Sequence, residues 1–334
     1  MKRSGYLYED IYLYPNLCDA FYKASKGRRD KADVIKFKSN FSENIYTIQR
    51  SLINQSPDIG HYKYFVVNDP KVRLICAASF PERVLHHAIM NICGPILDSC
   101  AIHDSYACRV QKGSHQAIKR AQLFANNNQW FLKLDIRKYF DTIDHLVLLK
   151  LLDGKIKDQK VNLLFDKILE TYHSVAGKGL PIGNLTSQHL ANYYLCGFDH
   201  WIKEQRKVKS YIRYMEDFIL FRNSPEKLKD DLIEIKHFLM QHLKLSLKPI
   251  TQLNRTKTGI PFLGYRVFPQ KILLLPQAKK RFINNLKKYE SNYIKGIWSE
   301  EKLAVHVTAM LNFLKHADTK QFRKNTIKRF GVLS

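Results

Sequence analysis

The chain has 334 residues, of which 45% are hydrophobic, so it can bury a core and form two or three packed subdomains. Its 55 Lys and Arg residues against 30 Asp and Glu give a net charge of +25, which favours nucleic acid as the partner class; a merely soluble basic protein is the alternative. The six cysteines form no C-x-x-C pair, which disfavours a zinc ribbon. With no secretory segment and no long apolar run, we expect a cytoplasmic protein that does not bind a membrane.

The N-terminal third is predicted to contain helices followed by a β-hairpin. Residues 1–60 are basic, and Ile45, Ile48 and Leu52 recur at helical spacing. Residues 61–79 have the pattern of two strands separated by an Asn-Asp-Pro turn. The next helix carries its apolar residues on one face, namely Val84, Leu85, Ala88, Ile89, Ile92, Cys93, Ile96 and Leu97.

The central part is predicted to mix helices and strands. A helix begins after Gly113, where we expect Ser114 to act as the N-cap. Residues 130–221 alternate between strand-like and helix-like patterns, and residues 225–243 have the pattern of an amphipathic helix.

The C-terminal part is predicted to change from strands to helices. Two strands are expected near residues 245–249 and 262–268. From Gln277 onward the chain is helical and strongly basic, which suits a clamp on a nucleic-acid duplex. A solvated helical cap is the alternative, because charged faces usually contact only water.

A pair of adjacent acids is the most informative feature of the sequence. Glu216 and Asp217 lie between two strand-like segments, so a tight turn is expected to present both carboxylates at a hairpin tip. Adjacent carboxylates repel each other unless a cation neutralises them, and Mg²⁺ takes one or two protein carboxylates together with substrate phosphates. A third acid, Asp135, ends another strand-like segment. The sequence therefore predicts that three distant acids meet around divalent cations.

Other residues match the needs of nucleotide polymerisation, in which two metal ions about 3.5–4 Å apart serve the attacking and leaving oxygens. The backbone carbonyl of Ile136 is an expected additional metal ligand. Lys71 and Arg73 are two residues apart, so they share a face of their strand and could bind phosphates. Phe140, five residues after Asp135, could press on the sugar edge, although an ordinary core position is the alternative.

These stretches resemble the motifs of the reverse transcriptase family, and the resemblance extends over nearly the whole chain. The matching stretches are DPKVR at 69–73, YACR at 106–109, KLDIRKYF at 133–140, GLPIGNLTSQ at 179–188, YMED at 214–217 and FLGY at 262–265. One motif alone would be weak, whereas six in the family's order are specific. In addition, Lys248 is similar to a lysine that assists the departure of pyrophosphate.

The resemblance implies an α+β protein with the right-hand polymerase fold. It implies an N-terminal extension and fingers in residues 1–128, and a palm with an antiparallel sheet in residues 129–268, interleaved with finger segments. A helical thumb would occupy residues 269–334. The implied reaction is RNA-templated synthesis of cDNA from dNTPs with two Mg²⁺ ions.

The resemblance also implies a role for each matching residue. The catalytic and metal-binding set is Asp135, Ile136 (through its carbonyl), Glu216 and Asp217. The nucleotide-binding set is Lys71, Arg73, Phe140 (which would screen the 2′ position), Ile182 and Gln188. The primer grip is Phe262, Leu263, Gly264 and Tyr265.

The sequence at 182–188 resembles one subgroup of the family. Its Ile-Gly-x-x-x-Ser-Gln pattern is similar to that of diversity-generating retroelement reverse transcriptases, in which an apolar first residue accompanies careless copying of adenines. Because Ile182 cannot form a side-chain hydrogen bond near the base pair, this behaviour has a physical rationale. The subgroup implies a structured RNA and a small basic accessory protein as partners. Bacterial antiphage reverse transcriptases have similar cores, so a defence role, with a second reverse transcriptase as partner, stays open.

The sequence departs from the family at Glu216, where the family has aspartate. Glutamate keeps the charge but moves the carboxylate by one methylene, and Mg²⁺ requires near-ideal octahedral geometry. The alternatives are an adjusted backbone, slower catalysis, better tolerance of Mn²⁺, or an inactive polymerase retained as an RNA-binding subunit.

Overall fold

A computed structural model describes residues 4–68 and 72–330. The N-terminal part contains four short helices, a two-stranded antiparallel sheet and two longer helices. These elements are α1 Tyr8–Tyr12, α2 Tyr14–Ser25, α3 Ala32–Ser39, α4 Phe41–Ile53, β1 Tyr62–Asn68, β2 Val72–Ala78, α5 Phe80–Asp98 and α6 Ser114–Asn127. The predicted helices and hairpin strands are confirmed, and the turn between the strands lies outside the described residues. Ser114 is not the N-cap as predicted, because Gly113 takes that position with a φ of 98°.

The central part is a four-stranded antiparallel sheet with the strand order β4-β5-β3-β6. Its elements are β3 Trp130–Asp135, α7 Tyr139–Thr142, α8 His145–Lys155, α9 Gln159–Glu170, α10 Leu185–Tyr194, α11 Cys196–His200, β4 Tyr211–Tyr214, β5 Asp217–Arg222, α12 Pro225–Leu243 and β6 Gln252–Arg255. A single π-helical turn, Trp201–Gln205, continues α11. Helix α12 has the predicted bounds. The class is therefore α+β with an antiparallel central sheet, as predicted.

One predicted strand of the central part is wrong. Residues 245–249 form only a bridge between Ile136 and Leu247, and the fourth strand is instead β6. Strand β6 lies at the sheet edge with mostly exposed polar residues, so it lacks the apolar alternation that marks a strand in sequence. Pro249 has no backbone N–H and cannot extend a ladder.

Both faces of the central sheet are covered, which explains its apolar strands. Along β5, Phe218 and Leu220 pack into a large core shared with α2, α5, α8, α10 and α12, whereas Ile219 and Phe221 pack into a second core. This second core includes residues of α6 and of the C-terminal elements. Because successive side chains point to opposite faces, a strand buried on both faces is a continuous apolar run.

The C-terminal part contains a small antiparallel sheet and three helices. These elements are β7 Ile260–Phe262, β8 Tyr265–Val267, β9 Ile272–Leu274, α13 Pro276–Ile294, α14 Glu300–Leu314 and α15 Lys320–Phe330, preceded by a short 3₁₀ turn, Thr256–Thr258. Phe282, Leu286 and Leu314 pack the helices against the small sheet. No helix in the described ranges is both long and apolar enough to cross a lipid bilayer.

Candidate active site

Three acidic residues lie at one end of the central sheet. Strands β3 and β5 are antiparallel, and Asp135 is the direct backbone partner of Asp217. In the β4–β5 hairpin, Tyr214 also pairs with Asp217, so Met215 and Glu216 form a two-residue loop. The carbonyl oxygen of Glu216 accepts a hydrogen bond from the backbone N–H of Ile136 at 3.2 Å. The backbone thus brings together residues that are about eighty positions apart in sequence.

Two lysines neutralise the carboxylates of this site. The Nζ atom of Lys248 lies 2.6 Å from Oδ1 of Asp135, and the backbone N–H of Lys248 donates to the Asp135 carbonyl at 2.8 Å. The Nζ atom of Lys133 lies 2.8 Å from Oδ1 of Asp217. Lys133 precedes Asp135 by two residues, so both side chains lie on the same face of β3. The site therefore places positive charge directly against two of its three carboxylates.

Glu216 and Asp217 have raised pKa values because they are largely buried and lie close to other negative charges. Burial, with added repulsion from Asp135 and Glu216, raises the pKa of Asp217 to about 6, and the charge of Lys133 opposes this change. Burial also raises the pKa of Glu216, again with a contribution from Asp135, while Arg73 and Lys248 oppose it. Carboxylates in this situation gain stability when a cation enters.

The residues fit a divalent cation in charge and in ligand type. The Oδ1 atoms of Asp135 and Asp217 are buried, and neither accepts a well-aligned hydrogen bond. Carboxylate oxygens are the ligands that Mg²⁺ prefers. The side chains are not preassembled, however: in the part of the chain that the structure describes, no group of three or more His, Cys, Asp or Glu residues is arranged around a common point. Asp135, Glu216 and Asp217 would hold a cation only after Lys133 and Lys248 had left the two aspartate Oδ1 atoms that they now contact.

The described residues of the predicted nucleotide-binding set lie on β2, on α7 and in the segment 179–188. Arg73 is exposed on β2, and its positive charge acts on Glu216. Lys71 lies outside the described residues. Phe140 is half-buried in α7 and packs against the large core. Ile182 and Gln188 belong to the segment 179–188, whose backbone hydrogen bonds join β2 to the α7 region.

The segment 179–188 connects the α7 region to the N-terminal hairpin. Its Leu180 N–H donates to the carbonyl of Phe140 at 2.8 Å, and the Ile182 carbonyl accepts from the N–H of Cys76 on β2, also at 2.8 Å. Gly183 has a φ of +121°, and a Cβ atom there would lie 2.9 Å from the side chain of Ile75, so only glycine allows this close approach. The backbone of Ile182 is thereby fixed between these two regions, whereas Gln188 lies on α10, where its Oε1 accepts from Cys108 Sγ at 3.4 Å.

The predicted primer-grip residues form the β7–β8 hairpin. Phe262 pairs with Tyr265, and the two loop residues Leu263 and Gly264 both have positive φ, of 50° and 90°. Both φ values match a type I′ hairpin turn, in which glycine is favoured. The hydroxyl of Tyr265 donates to the carbonyl of Phe313 in α14 at 2.6 Å. The hairpin therefore connects the central sheet region to the C-terminal helices.

A buried ion pair beneath the acidic hairpin was not predicted from the sequence. Arg213 and Asp199 are both fully buried, and Arg213 Nη2 lies 2.7 Å from Asp199 Oδ2. Nη1 of Arg213 donates to the Met215 carbonyl at 3.0 Å and to the Asn192 side chain at 3.2 Å. Although burial alone would disfavour its charge, the Asp199 carboxylate raises the pKa of Arg213. This network holds the loop that carries Glu216, and nothing in the local sequence separates Arg213 from a solvent-facing strand residue.

The comparisons with known proteins agree with this geometry. The chain shares the fold of two structures of apo telomerase from Candida tropicalis. The first has a TM-score of 0.52 and 12% sequence identity, and the match covers 87% of this chain and 64% of that chain. The second, truncated from its C-terminal domain, has a TM-score of 0.51 and 11% identity, and the match covers 64% of this chain and 55% of that chain. Together with the antiparallel sheet and its acidic end, this defines a right-hand polymerase fold.

The sequence matches identify the family. Residues 67–267, more than half of the chain, match the family model "Reverse transcriptase (RNA-dependent DNA polymerase)", so the chain belongs to the reverse transcriptase family. It is 28% identical to the group II intron-encoded protein LtrA of Lactococcus lactis subsp. cremoris over 79% of this chain and 47% of that protein. It is 23% identical to protein YkfC of Escherichia coli over 66% of this chain and 74% of that protein. The chain thus spans about half the length of LtrA.

Proposed function

We propose that this chain is an RNA-directed DNA polymerase that makes cDNA from a dedicated structured RNA. The observation that carries the proposal is the backbone pairing of Asp135 with Asp217 beside the loop that holds Glu216. Its membership of the reverse transcriptase family and its net charge of +25 support the same substrate class. When bound, a pair of Mg²⁺ ions would activate the primer hydroxyl and neutralise the leaving pyrophosphate.

The chain's own residues divide the remaining tasks. Asp135, Glu216 and Asp217, with the Ile136 carbonyl, would hold the cations. Lys133 and Lys248 would release the aspartates as the cations enter, because an ammonium group and a cation compete for the same oxygens. Lys248, once released from Asp135, would then be able to stabilise the negative charge that develops on pyrophosphate.

Substrate selection would depend on residues on either side of the acids. Arg73, together with Lys71, would bind the triphosphate of the incoming dNTP. Phe140 would screen the 2′ position of the sugar. Ile182 and Gln188 would shape the pocket of the nascent base pair, and residues 262–265 would position the primer. The effect of the Arg73 charge on Glu216 supports the first of these assignments.

We further propose error-prone copying of adenines, as in a diversity-generating retroelement. Ile182 is half-buried, and its backbone is fixed by the hydrogen bond to Cys76. Its side chain has no hydrogen-bond donor or acceptor to offer to a base pair. A structured RNA and a small basic accessory protein are the corresponding partners. Sequencing of the cDNA separates this role from phage defence, for which repeats or homopolymers are expected in place of adenine-specific errors.

A second candidate function is a catalytically impaired RNA-binding subunit that acts with another enzyme. Glu216 favours it, because the longer side chain disturbs the geometry that Mg²⁺ requires, and the carboxylates are not preassembled in the described residues. Mn²⁺, which tolerates the longer ligand better, is then expected to support more synthesis than Mg²⁺.

The test is primer extension with purified protein, RNA template, labelled dNTPs and either Mg²⁺ or Mn²⁺. Wild-type protein is expected to extend the primer, and Asp135→Asn to abolish extension. Asp141→Asn is the matched control, because this acid lies six residues further along and is not assigned to the site. Extension by Asp135→Asn at the wild-type rate would overturn the assignment, and RNA binding without extension by wild-type protein would favour the impaired subunit.

A further inference from the structure

A small polar pocket lies between α5 and the segment that carries Ile182 and Gln188. Its volume is about 150 Å³. Its lining residues come from α5 and from the start of α10: Arg83, His86, His87, Gly183, Asn184, Leu185 and Gln188. The proposed nascent-pair residue Gln188 thus contributes to the pocket wall, so the pocket adjoins the position of the base pair.

Buried polar atoms in this pocket lack partners. Asn184 is only 3% exposed, yet its Nδ2 makes no hydrogen bond, and neither does Nε of Arg83. The buried His86 turns its Nε2 towards Oε1 of Glu82, 3.6 Å away, so only Asn184 and Arg83 supply donors without a partner here. The Asn184 amide is oriented, because its Oδ1 accepts from the N–H of Ala78 at 3.2 Å and leaves only donors free. An unsatisfied buried polar group typically costs about 1–3 kcal/mol, so two such donors on residues that line one small pocket point to a polar ligand.

The dimensions and chemistry of the pocket match a single nucleobase. Its 150 Å³ corresponds to about five water molecules at ~30 Å³ each, which is too small for a whole nucleotide and suits one planar ring system. Histidine rings and arginine guanidinium groups are the planes on which unpaired bases stack in RNA-binding proteins. Burial lowers the pKa values of His86 and His87 to about 3 and about 4, so both rings are neutral and present no ionic attraction to phosphate.

A larger groove leads to the pocket and shares Arg83 and Gly183 with it. This groove has a volume of about 680 Å³, and its lining includes the cations Lys36 and Lys63, the aromatic rings of Phe37 and Phe65, and the ion pair of Arg28 with Asp33. Positive charge interleaved with aromatic rings is the composition of a groove that tracks a single nucleic-acid strand. A strand that follows this groove would reach the pocket immediately before it reaches Gln188.

The available donors favour one kind of base. Both Nδ2 of Asn184 and Nε of Arg83 can only donate hydrogen bonds. Guanine presents two neighbouring acceptors, N7 and O6, on one edge, whereas adenine presents one acceptor beside a donor on the same edge. Two donors in the pocket can therefore bind N7 and O6 of guanine together. With adenine, one of them would face the N6 amino group, which is itself a donor.

We propose that this pocket binds the base of the template nucleotide that is next to be copied, and that it prefers guanine to adenine there. The proposal rests on the polymerase function proposed above and assigns Arg83 and Asn184 as specificity-determining residues for the template. The pocket would hold the template one step ahead of the nascent pair.

The test is single-nucleotide primer extension on RNA templates that differ only at the position after the templating base, which is guanine, adenine or abasic. Wild-type protein is expected to have at least about fivefold higher kcat/KM with guanine than with adenine or the abasic site, the effect of one well-placed base contact. Equal rates on all three templates would overturn the inference, because a pocket filled only by water or serving only stability shows no base dependence. Failure to extend any template would instead refute the proposed function.

Two variants test the residues. Asn184→Asp keeps an oxygen for the Ala78 N–H and replaces the free donors with an acceptor, so the preference is expected to change from guanine towards adenine. Arg83→Met removes a donor at similar length and is expected to bring the two rates together. In the control Lys63→Met, kcat/KM is expected to fall by the same factor on all three templates. If Asn184→Asp and Arg83→Met instead slowed extension equally on every template, with an unchanged ratio of kcat/KM for guanine to that for adenine, the assignment of these two residues would be overturned.

Discussion

Replacement of Asp217 by asparagine is expected to stabilise the metal-free protein while removing activity. The folded structure raises the pKa of Asp217 from 3.8 to about 6, mainly by burial, and the side chain is only 21% exposed. At about 1.4 kcal/mol per pKa unit, ionising this carboxyl in the folded state costs about 3 kcal/mol more than in the unfolded chain. Asparagine has nearly the same shape and carries no charge, so the cost disappears in the variant.

The pH dependence follows from the direction of this pKa change. Because the folded-state pKa is raised, the folded protein binds the proton more tightly than the unfolded chain does. The resulting stability is fully present below about pH 3.8 and is lost as the pH rises through 6. Wild type and Asp217→Asn should therefore be similar in stability near pH 4, and the variant should be more stable by about 3 kcal/mol above pH 7.

Asp231→Asn provides a control with the opposite sign. Asp231 is also buried, but it pairs with two arginines, Arg206 Nη2 at 3.0 Å and Arg222 Nε at 2.6 Å. Loss of its charge leaves two cations without their partner, and breaking a buried ion pair typically costs about 3–5 kcal/mol. The same substitution at two buried acids should therefore stabilise the protein at one position and destabilise it at the other.

The assay is urea unfolding followed by circular dichroism, in EDTA, at several pH values from 4 to 8. Adding Mg²⁺ should then stabilise wild-type protein and leave Asp217→Asn nearly unchanged, because only the wild type has the complete set of carboxylates. If Asp217→Asn were less stable than wild type at pH 7.5, or if the difference did not vary with pH, the described electrostatics of the site would be wrong.

Four other substitutions test separate parts of the proposed polymerase. Glu216→Asp is expected to keep or raise primer extension in Mg²⁺, and a loss of activity larger than tenfold would contradict the role given to the extra methylene. Ile182→Gln is expected to lower adenine-specific errors in sequenced cDNA, and an unchanged error spectrum would remove the link to this side chain. Arg213→Met is expected to destabilise the fold by about 3–5 kcal/mol because Asp199 loses its partner, as urea unfolding would show. Tyr265→Phe is expected to cost about 1 kcal/mol and to raise the KM for primer more than it changes kcat; equal primer binding would argue against the primer grip.

Much of the fold could be predicted from periodicity. The helix at 225–243 has an apolar stripe, a serine cap and a clear end, so its bounds are correct. The edge strand Gln252–Arg255 could not be predicted, because its residues are mostly exposed and polar and its position depends on pairing with β3. Ser114 was a reasonable cap by residue type, but the backbone turns one residue earlier at Gly113.

The site could be predicted in part because its acids interrupt apolar strands. Glu216 and Asp217 stand out against the hydrophobic segments on either side, and the structure brings Asp135 opposite Asp217. The contacts that tune these acids could not be predicted. Lys133 reads as an ordinary exposed strand residue, and the partners of Arg213 lie elsewhere in the chain and meet it only in the folded protein. Sequence patterns indicate which side a residue faces, whereas ion pairs between distant segments depend on the tertiary structure.

Iron-directed backbone cleavage is the measurement that tests the convergence of the three acids most directly. Fe²⁺ bound in place of Mg²⁺ reduces added hydrogen peroxide to hydroxyl radicals, with ascorbate restoring Fe²⁺, and the radicals cut the chain close to the ion. Cleavage is predicted in two segments of the same molecule, around residue 135 and around residues 214–217, and it should be lost at both in Asp135→Asn. Cleavage at only one of these segments, or equal cleavage in the variant, would contradict a shared cation site.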